Sequence, residues 1–220
     1  MSRISLMSFC LLLSVSLSTS SFAVTVDFES VPVGTEWGTT PGNSPGDLVL
    51  TEDGITMTVE NFTSGAFVGF NAATIDVPPQ SFFPASVNTT QALTLNNING
   101  KFDFTGLPFA VSRVTVEYAD GGDTNNFDVN GLGKQEVNDL TSLSSYAGFA
   151  VNVTATEIGF TDVGTIEVIA DPGQSIQTLE LGGQESSFDN LVAIPEPTSL
   201  LLVVLSSLIG LGSYRLKQSH

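Results

Sequence analysis

Apolar and polar residues alternate along much of the middle of this chain, and this alternation constrains its fold more than any other feature. Residues 55–60 read ITMTVE, residues 113–118 read RVTVEY, and residues 149–154 read FAVNVT. A period of two places every second side chain on the same face of a sheet, so each segment is predicted to be a half-buried strand. No window of ten or more residues between positions 24 and 194 shows a helical stripe.

Turn signals separate the predicted strands at short intervals. The main ones are Asp53-Gly54, Asn99-Gly100, Asn130-Gly131, Asp171-Pro172-Gly173 and Gly182-Gly183. The stretch 34–47 is rich in Gly, Pro, Thr and Ser, and it is predicted to be a long loop. Many short strands at regular spacing predict an all-β fold, an antiparallel β-sandwich of the jelly-roll-like kind.

Residues 1–23 are predicted to form a removable signal peptide with a helical apolar segment. Arg3 supplies a positive start, and the stretch 4–17 is mostly apolar. Small residues stand at −3 and −1 of a predicted signal-peptidase cleavage between Ala23 and Val24. The single cysteine, Cys10, lies inside the apolar run rather than after it, so no lipid anchor is predicted. The exported domain, residues 24–193, then contains no cysteine.

The C-terminal residues 194–220 predict a second targeting segment. Residues 199–214 read SLLLVVLSSLIGLGSY without a charge, and as a helix they would extend about 24 Å, at the short end of what spans a bilayer. The basic end 215–217, with Arg215 and Lys217, is expected to stay in the cytoplasm. The domain then lies on the opposite side of the membrane, in agreement with the signal peptide.

Pro195-Glu196-Pro197 stands just before this predicted transmembrane helix. The two prolines favour an extended segment that a processing enzyme can reach. The motif at 195–197, the apolar helix and the basic end at Arg215 together resemble the PEP-CTERM sorting signal. This resemblance implies recognition by an exosortase, an integral-membrane transpeptidase-like enzyme of Gram-negative bacteria, with cleavage near the motif. The precursor would be anchored in the inner membrane, and the product would reach the cell surface or the medium. The alternative is a permanent single-helix anchor.

The charge of the exported part is strongly negative. Between the first segment and the C-terminal apolar run there are 23 acidic residues and only 3 basic ones, a net charge of about −20. Such a charge repels nucleic acid and anionic lipids, so no nucleic-acid partner is predicted, whereas cations are attracted.

Carboxylates near the two ends of the domain suggest a structural calcium ion. Asp27 and Glu29 follow the first predicted strand, and Asp189 and Asn190 lie in the last one. The chain loosely resembles jelly rolls of the carbohydrate-binding-module type, in which the first and last strands lie side by side and their acids often share calcium. The alternative is that these are ordinary outward strand residues. A second acid-rich stretch, 120–128, lacks EF-hand spacing and is more typical of a hairpin loop.

Residue types exclude several chemistries. The domain has no histidine, since His220 is terminal, and no cysteine, so Ser-His-Asp and Cys-His triads and histidine-based zinc sites are excluded. The predicted function is that of a non-enzymatic exported cell-surface or extracellular-matrix protein with a structural or polysaccharide-associated role. One alternative is a carbohydrate-binding module that uses Trp37, with Tyr118 and Tyr146 as further candidate aromatics. The other is a glycoside hydrolase that uses two carboxylates.

Overall fold

The structure of the protein is a computed structural model that describes residues 22–77 and 91–196. The predicted signal helix, the predicted transmembrane helix 199–214, Pro197 and Arg215 lie outside these ranges. Over the ranges that the structure describes, no helix is long and apolar enough to cross a membrane. Residues Ala23–Pro195 form one compact unit with its own hydrophobic core, which is the property expected of a domain that folds alone.

Strands dominate the described residues, with one short 3-10 helix at Leu140–Ser142. In chain order the strands are β1 Val24–Val26, β2 Glu36–Gly38, β3 Leu48–Glu52, β4 Ile55–Ser64, β5 Phe67–Gly69, β6 Ala72–Asp76, β7 Ala92–Asn96, β8 Ile98–Asp103, β9 Val111–Asp120, β10 Asn125–Val129, β11 Gln135–Val137, β12 Ser145–Tyr146, β13 Phe149–Ile158, β14 Thr161–Ala170, β15 Thr178–Gly183 and β16 Ser186–Pro195. The three alternating segments of the sequence lie in β4, β9 and β13.

The strands form two antiparallel sheets that face each other. The first sheet has the order β12-β13-β14-β9-β16-β7-β6-β2, with β1 also paired to β16; the second has the order β11-β10-β15-β8-β4-β3, with β5 paired to β4. One side of each strand faces the core, where fully buried Phe28 and Phe102 lie with ring centroids 6.4 Å apart. The prediction of an all-β, antiparallel, two-sheet sandwich is therefore confirmed for the described residues.

Strand β16 connects the two ends of the domain. Its first residues pair with β7, and its later residues pair with β1, with Val24 opposite Ala193. The first and last strands thus lie side by side. The N-terminal end of β1 and the C-terminal end of β16 meet at the same end of the sandwich, beside Val111 at the start of β9.

Three local predictions were wrong. Asn99-Gly100 is not a turn, because both residues belong to β8, and the chain turns earlier at Asn97, which has a positive φ of 49°. Gly182-Gly183 is not a turn, because both residues belong to β15, and the chain turns one step later at 184–185. These glycines serve close packing: a Cβ at Gly182 would overlap the side-chain oxygen of buried Asn99, and one at Gly183 would overlap Ser186. The stretch 34–47 is not all loop either, since it contains β2, which pairs with β6.

Candidate functional site

Strands β1, β16 and β9 bring four carboxylates to one region, and Glu52 at the end of β3 joins them. We call these five residues the acidic cluster: Asp27, Glu29, Glu52, Glu117 and Asp189. Asp189 lies opposite Glu117 in the ladder between β16 and β9. Three of the four residues predicted from the sequence are thus members, and Asn190, the fourth, contacts two of them.

A β-bulge after Asp189 shapes the cluster. Asn190 has a positive φ of 47°, and the register between β16 and β9 shifts between Asp189 and Val192. Because of this turn in the backbone, Asn190 N donates to Asp189 Oδ1 at 2.7 Å, and Asn190 Nδ2 donates to Glu117 Oε2 at 2.9 Å. Asn tolerates this backbone region better than most residues. The bulge therefore places the side-chain amide of Asn190 within hydrogen-bonding distance of both Glu117 and Asp189.

Gln91, which directly precedes β7, contacts the acidic cluster at Glu29. Its backbone N donates to Glu29 Oε1 at 3.1 Å, and its Nε2 donates to Glu29 Oε2 at 3.0 Å. Gln91 is 9% exposed, and its buried Oε1 has no hydrogen-bond partner within residues 22–77 and 91–196. Amide N–H groups of Gln91 and Asn190 thus donate to two carboxylates of the cluster.

Burial changes the protonation of the cluster. Asp189 is only 1% exposed, and this burial, with the nearby carboxylates of Glu117, Glu29 and Asp27, raises its pKa to about 7. Burial also raises the pKa of Glu52, with the facing carboxyl of Asp27 as the next cause. Asp189 therefore keeps its proton to a much higher pH than an exposed aspartate does, because its charged form is poorly solvated.

The cluster does not present a ready set of calcium ligands. Calcium needs six to eight oxygen ligands, but no group of three or more His, Cys, Asp or Glu side chains within residues 22–77 and 91–196 is placed to hold a metal ion. The side-chain amides of Asn190 and Gln91 donate hydrogen bonds to Glu117 and Glu29, whose carboxylate oxygens a bound ion would need as ligands. The described geometry fits hydrogen bonding and protonation better than calcium, and calcium at Asp27, Glu29, Asp189 and Asn190 stays a prediction.

The protonation of Asp189 predicts a pH dependence of stability. Its pKa rises on folding from 3.8 to about 7, so the folded chain keeps a proton that the unfolded chain releases between these values. The contribution of Asp189 to the free energy of unfolding therefore falls as the pH rises from about 4 to 7 and is constant above that. We expect Asp189→Asn to stabilise the domain at pH 8 by about 1–3 kcal/mol and to have little effect at pH 4, as measured by urea unfolding.

A matched variant separates this effect from general charge repulsion. Asp171→Asn removes the same charge from an exposed turn, and we expect a change below about 0.5 kcal/mol at both pH values. Equal stabilisation by Asp189→Asn at pH 4 and pH 8 would contradict the assignment of a buried, protonated carboxyl group.

The second acid-rich stretch, 120–128, contains two buried aspartates whose carboxylates accept hydrogen bonds inside the fold. Asp120 accepts hydrogen bonds from Gly122 N at 3.0 Å and from Asn125 Nδ2 at 2.7 Å. Asp128 accepts from the backbone N–H groups of Leu132 and Gly133, each at 3.1 Å. The interpretation of 120–128 as a hairpin loop was wrong, because Asp120 ends β9 in the first sheet, residues 125–128 lie in β10 of the second sheet, and residues 121–124 connect the two sheets.

The aromatic residues considered for ligand stacking face the core. Trp37 lies in β2, half-buried and packed against the hydrophobic core. Tyr118 and Tyr146 are buried, at 1% and 5% exposure. The surface of the sandwich instead carries a different aromatic residue, Phe160, which is 98% exposed at the tip of the β13–β14 hairpin. The sequence pattern did not single out Phe160.

A shallow cleft, whose accessible surface is mainly apolar with several polar side chains at its wall, lies next to this hairpin tip on the first sheet. Its lining includes Thr94, Asn96, Thr161, Glu185 and Ser187, with Ala119 among the small residues that leave the space open. The hydroxyl groups of Thr94 and Ser187 are 3.0 Å apart. The cleft is at the end of β9 opposite the chain termini of the domain, about 30 Å away along a ten-residue strand.

Some residues of the predicted processing sites fall within the described ranges, and these lie at the two ends of the compact unit Ala23–Pro195. Val24 begins β1, and Ala23 precedes it as an exposed residue. Pro195 ends β16, and Ser112 Oγ donates to its carbonyl oxygen at 3.0 Å. Glu196 is exposed and follows the last strand.

Comparison with known proteins gives no family assignment. No protein-family model, no curated protein and no solved structure matches this chain.

Proposed function

We propose that this chain is an exported, non-enzymatic surface or matrix protein that an exosortase-type enzyme processes at its C-terminal tail. Its jelly-roll-like sandwich would be delivered through the inner membrane of a Gram-negative bacterium by the signal peptide. It would be held there by the helix 199–214 and then released, or attached to extracellular polysaccharide, after cleavage near Pro195-Glu196-Pro197.

The observation that carries this proposal is the placement of the two ends of the sandwich. Val24 and Ala193 are paired neighbours, and Pro195 lies opposite Val111 at that same end. Both predicted cleavage points thus adjoin one end of a compact unit that spans Ala23–Pro195. Signal peptidase and exosortase could cut at the membrane without any strand leaving the sheets. The cleft and Phe160, at the other end, would then face away from the membrane.

Fractionation of the producing cells tests the proposal. In cells with an active exosortase, we expect the domain at the surface or in the medium. In cells lacking the exosortase, we expect it in the inner-membrane fraction at its full length. The same distribution with and without the exosortase would contradict the proposal.

Glycan binding is a second candidate function, and the cleft beside Phe160 is the observation that favours it. Hydroxyl, amide and carboxylate groups next to an exposed ring are the groups that recognise a sugar. Glu185 is the charged residue of the lining, and the acidic domain disfavours anionic glycans. The candidate ligand is therefore a neutral glycan.

A glycan array followed by calorimetry tests this candidate. For a neutral glycan that binds, we expect Phe160→Ala to raise the Kd about five- to tenfold, because it removes a stacking contact of about 1 kcal/mol. Phe67→Ala is the control, since Phe67 is also exposed but lies on β5 in the other sheet. An array without any bound glycan, or an equal loss from the control, would reject the candidate.

Glycoside hydrolysis has weaker support. An enzyme of this kind needs two carboxylates about 5 to 10 Å apart in a groove. The described cleft lining contains one carboxylate, Glu185, whereas Asp189 is enclosed within the acidic cluster.

A further inference from the structure

The outer edge of β13 is open over most of its length. On one side β13 pairs with β14 through ten consecutive residues. On the other side β12 covers only Phe149 and Ala150, and Val151 N donates to Ser144 O at 3.4 Å. From Val153 to Ile158, none of the described strands pairs with this edge.

The backbone of this open segment is ready to accept another strand. In an antiparallel ladder, alternate residues direct their N–H and C=O groups to the same side. Because Val151 N points to the open edge, the polar backbone groups of Val153, Ala155 and Glu157 point there too. Residues 154–158 are exposed in succession, and the Tyr118 hydroxyl donates to the carbonyl oxygen of Thr154 at 3.4 Å.

The usual protections of a sheet edge are missing here. Natural edge strands are kept from pairing by lysines, prolines, bulges or short length. Residues 143–160 contain no proline and a single charge, that of Glu157, and the register with β14 has no bulge. By contrast, β3 at an edge of the second sheet has five residues, a register shift, and Glu52 followed by Asp53. The edge strands β2 and β11 have three residues each.

We propose that the open edge of β13 binds the same edge of a second copy of this chain. The two strands would run antiparallel about a two-fold axis at Ala155, the midpoint of the open segment. Val153 of one copy would lie opposite Glu157 of the other, and Thr154 opposite Thr156. Three hydrogen-bonded residue pairs would give about six backbone hydrogen bonds, and two Thr–Thr pairs add cross-strand contacts.

The self-complementary pattern of the edge is the reason for choosing a second copy as the partner, because the axis at Ala155 places Thr opposite Thr and Glu157 opposite uncharged Val153. Two domains with this many acids repel each other wherever their acidic surfaces meet, so self-association needs an edge that is long and nearly uncharged. With the axis at Ala155, the two Glu157 side chains are four positions apart along the strands, about 13 Å. This distance exceeds the Debye length of about 8 Å at physiological ionic strength. The repulsion between the two Glu157 side chains is therefore largely screened, and the remaining repulsion between the two domains is expected to weaken as salt is added.

A single cysteine tests the predicted register. The domain contains no cysteine, since Cys10 precedes it, and Ala155 is exposed. In a dimer of the Ala155→Cys variant, the two copies of residue 155 would face each other across the two-fold axis. Their Cα atoms would be about 5.5 Å apart, which suits a disulfide. We expect mild oxidation of the domain Ala23–Pro195 to give a covalent dimer. The control is Thr51→Cys, at an exposed position of the β3 edge, which we expect to remain monomeric.

Sedimentation equilibrium of the unmodified domain completes the test. We expect a reversible dimer at micromolar concentrations. Ala155→Lys places two like charges at the axis and is expected to weaken dimerisation at least tenfold, while its thermal midpoint stays unchanged because residue 155 is exposed. A domain that remains monomeric at millimolar concentration would overturn the proposal. So would cross-linking that is equal in Thr51→Cys, or dimerisation that is unchanged in Ala155→Lys.

Discussion

Gly182→Ala is expected to destabilise the domain by about 3 kcal/mol or more, or to prevent folding. Gly182 lies in β15 opposite Asn99 in β8, in the interior of the second sheet. A Cβ at this position would overlap the Asn99 side-chain oxygen and would lie 2.9 Å from the carbonyl oxygen of Ile98. Chemical or thermal unfolding of the purified domain measures the effect, and a loss of about 10 °C in the thermal midpoint is expected for a domain of this size.

The size of this effect follows from how firmly Asn99 is held. Asn99 is fully buried, and its Nδ2 donates to Glu180 Oε1 at 2.7 Å and to the carbonyl oxygen of Asn61 at 2.9 Å. Lys134 forms an ion pair with Glu180 at 2.6 Å and also donates to the Asn61 carbonyl. Moving Asn99 aside would break these bonds in a buried place, where an unpaired polar group costs about 1–3 kcal/mol.

Gly173→Ala is the control for the backbone effect of replacing a glycine. Gly173 has a positive φ of 83°, and a Cβ there would meet nothing within 4 Å. Its replacement is expected to cost about 1 kcal/mol, from backbone strain alone. If Gly182→Ala proved no more harmful than Gly173→Ala, the close packing of β15 against Asn99 would be refuted.

Glu196→Ala is expected to abolish C-terminal processing without changing the stability of the sandwich. Glu196 is the central residue of the Pro-Glu-Pro motif, and it is exposed beyond the end of β16. A protease or transpeptidase that reads this extended segment loses its recognition residue, whereas the sheets lose no contact. In cells with an active exosortase, immunoblotting of fractions should show a drop of at least tenfold in the processed form, with the precursor in the inner membrane.

The neighbouring position Thr198 supplies the control for this variant. Thr198→Ala changes the same segment outside the motif, and processing is expected to continue. Unfolding of the Glu196→Ala domain by urea should match that of the unchanged domain, which separates a sorting defect from a folding defect. Normal processing of Glu196→Ala would show that the motif is not read.

Much of the fold could be predicted because the signal is local. Alternation at 55–60, 113–118 and 149–154 is a property of single segments, and each segment became a long strand. The turn prediction at Gly182-Gly183 failed because glycine has two uses, reversal of the chain and close approach of strands. The choice between them depends on Asn99, which lies 83 positions earlier in the chain.

The candidate site depends on pairing that no single segment encodes. Asp27, Glu29, Asp189 and Asn190 could be proposed together because a resemblance placed the first and last strands side by side. Glu117 could not, since its position opposite Asp189 follows from the register between β9 and β16. The open edge of β13 was also invisible in the sequence, because it depends on how little of that strand β12 covers.

The most direct test of the central claim is the intact mass of the mature protein purified from cells with an active exosortase. Export with processing at both ends predicts a chain that begins at Val24, ends close to Pro195-Glu196-Pro197, and lacks the apolar residues 199–214. A mass that corresponds to a chain from Val24 to His220 would contradict the account.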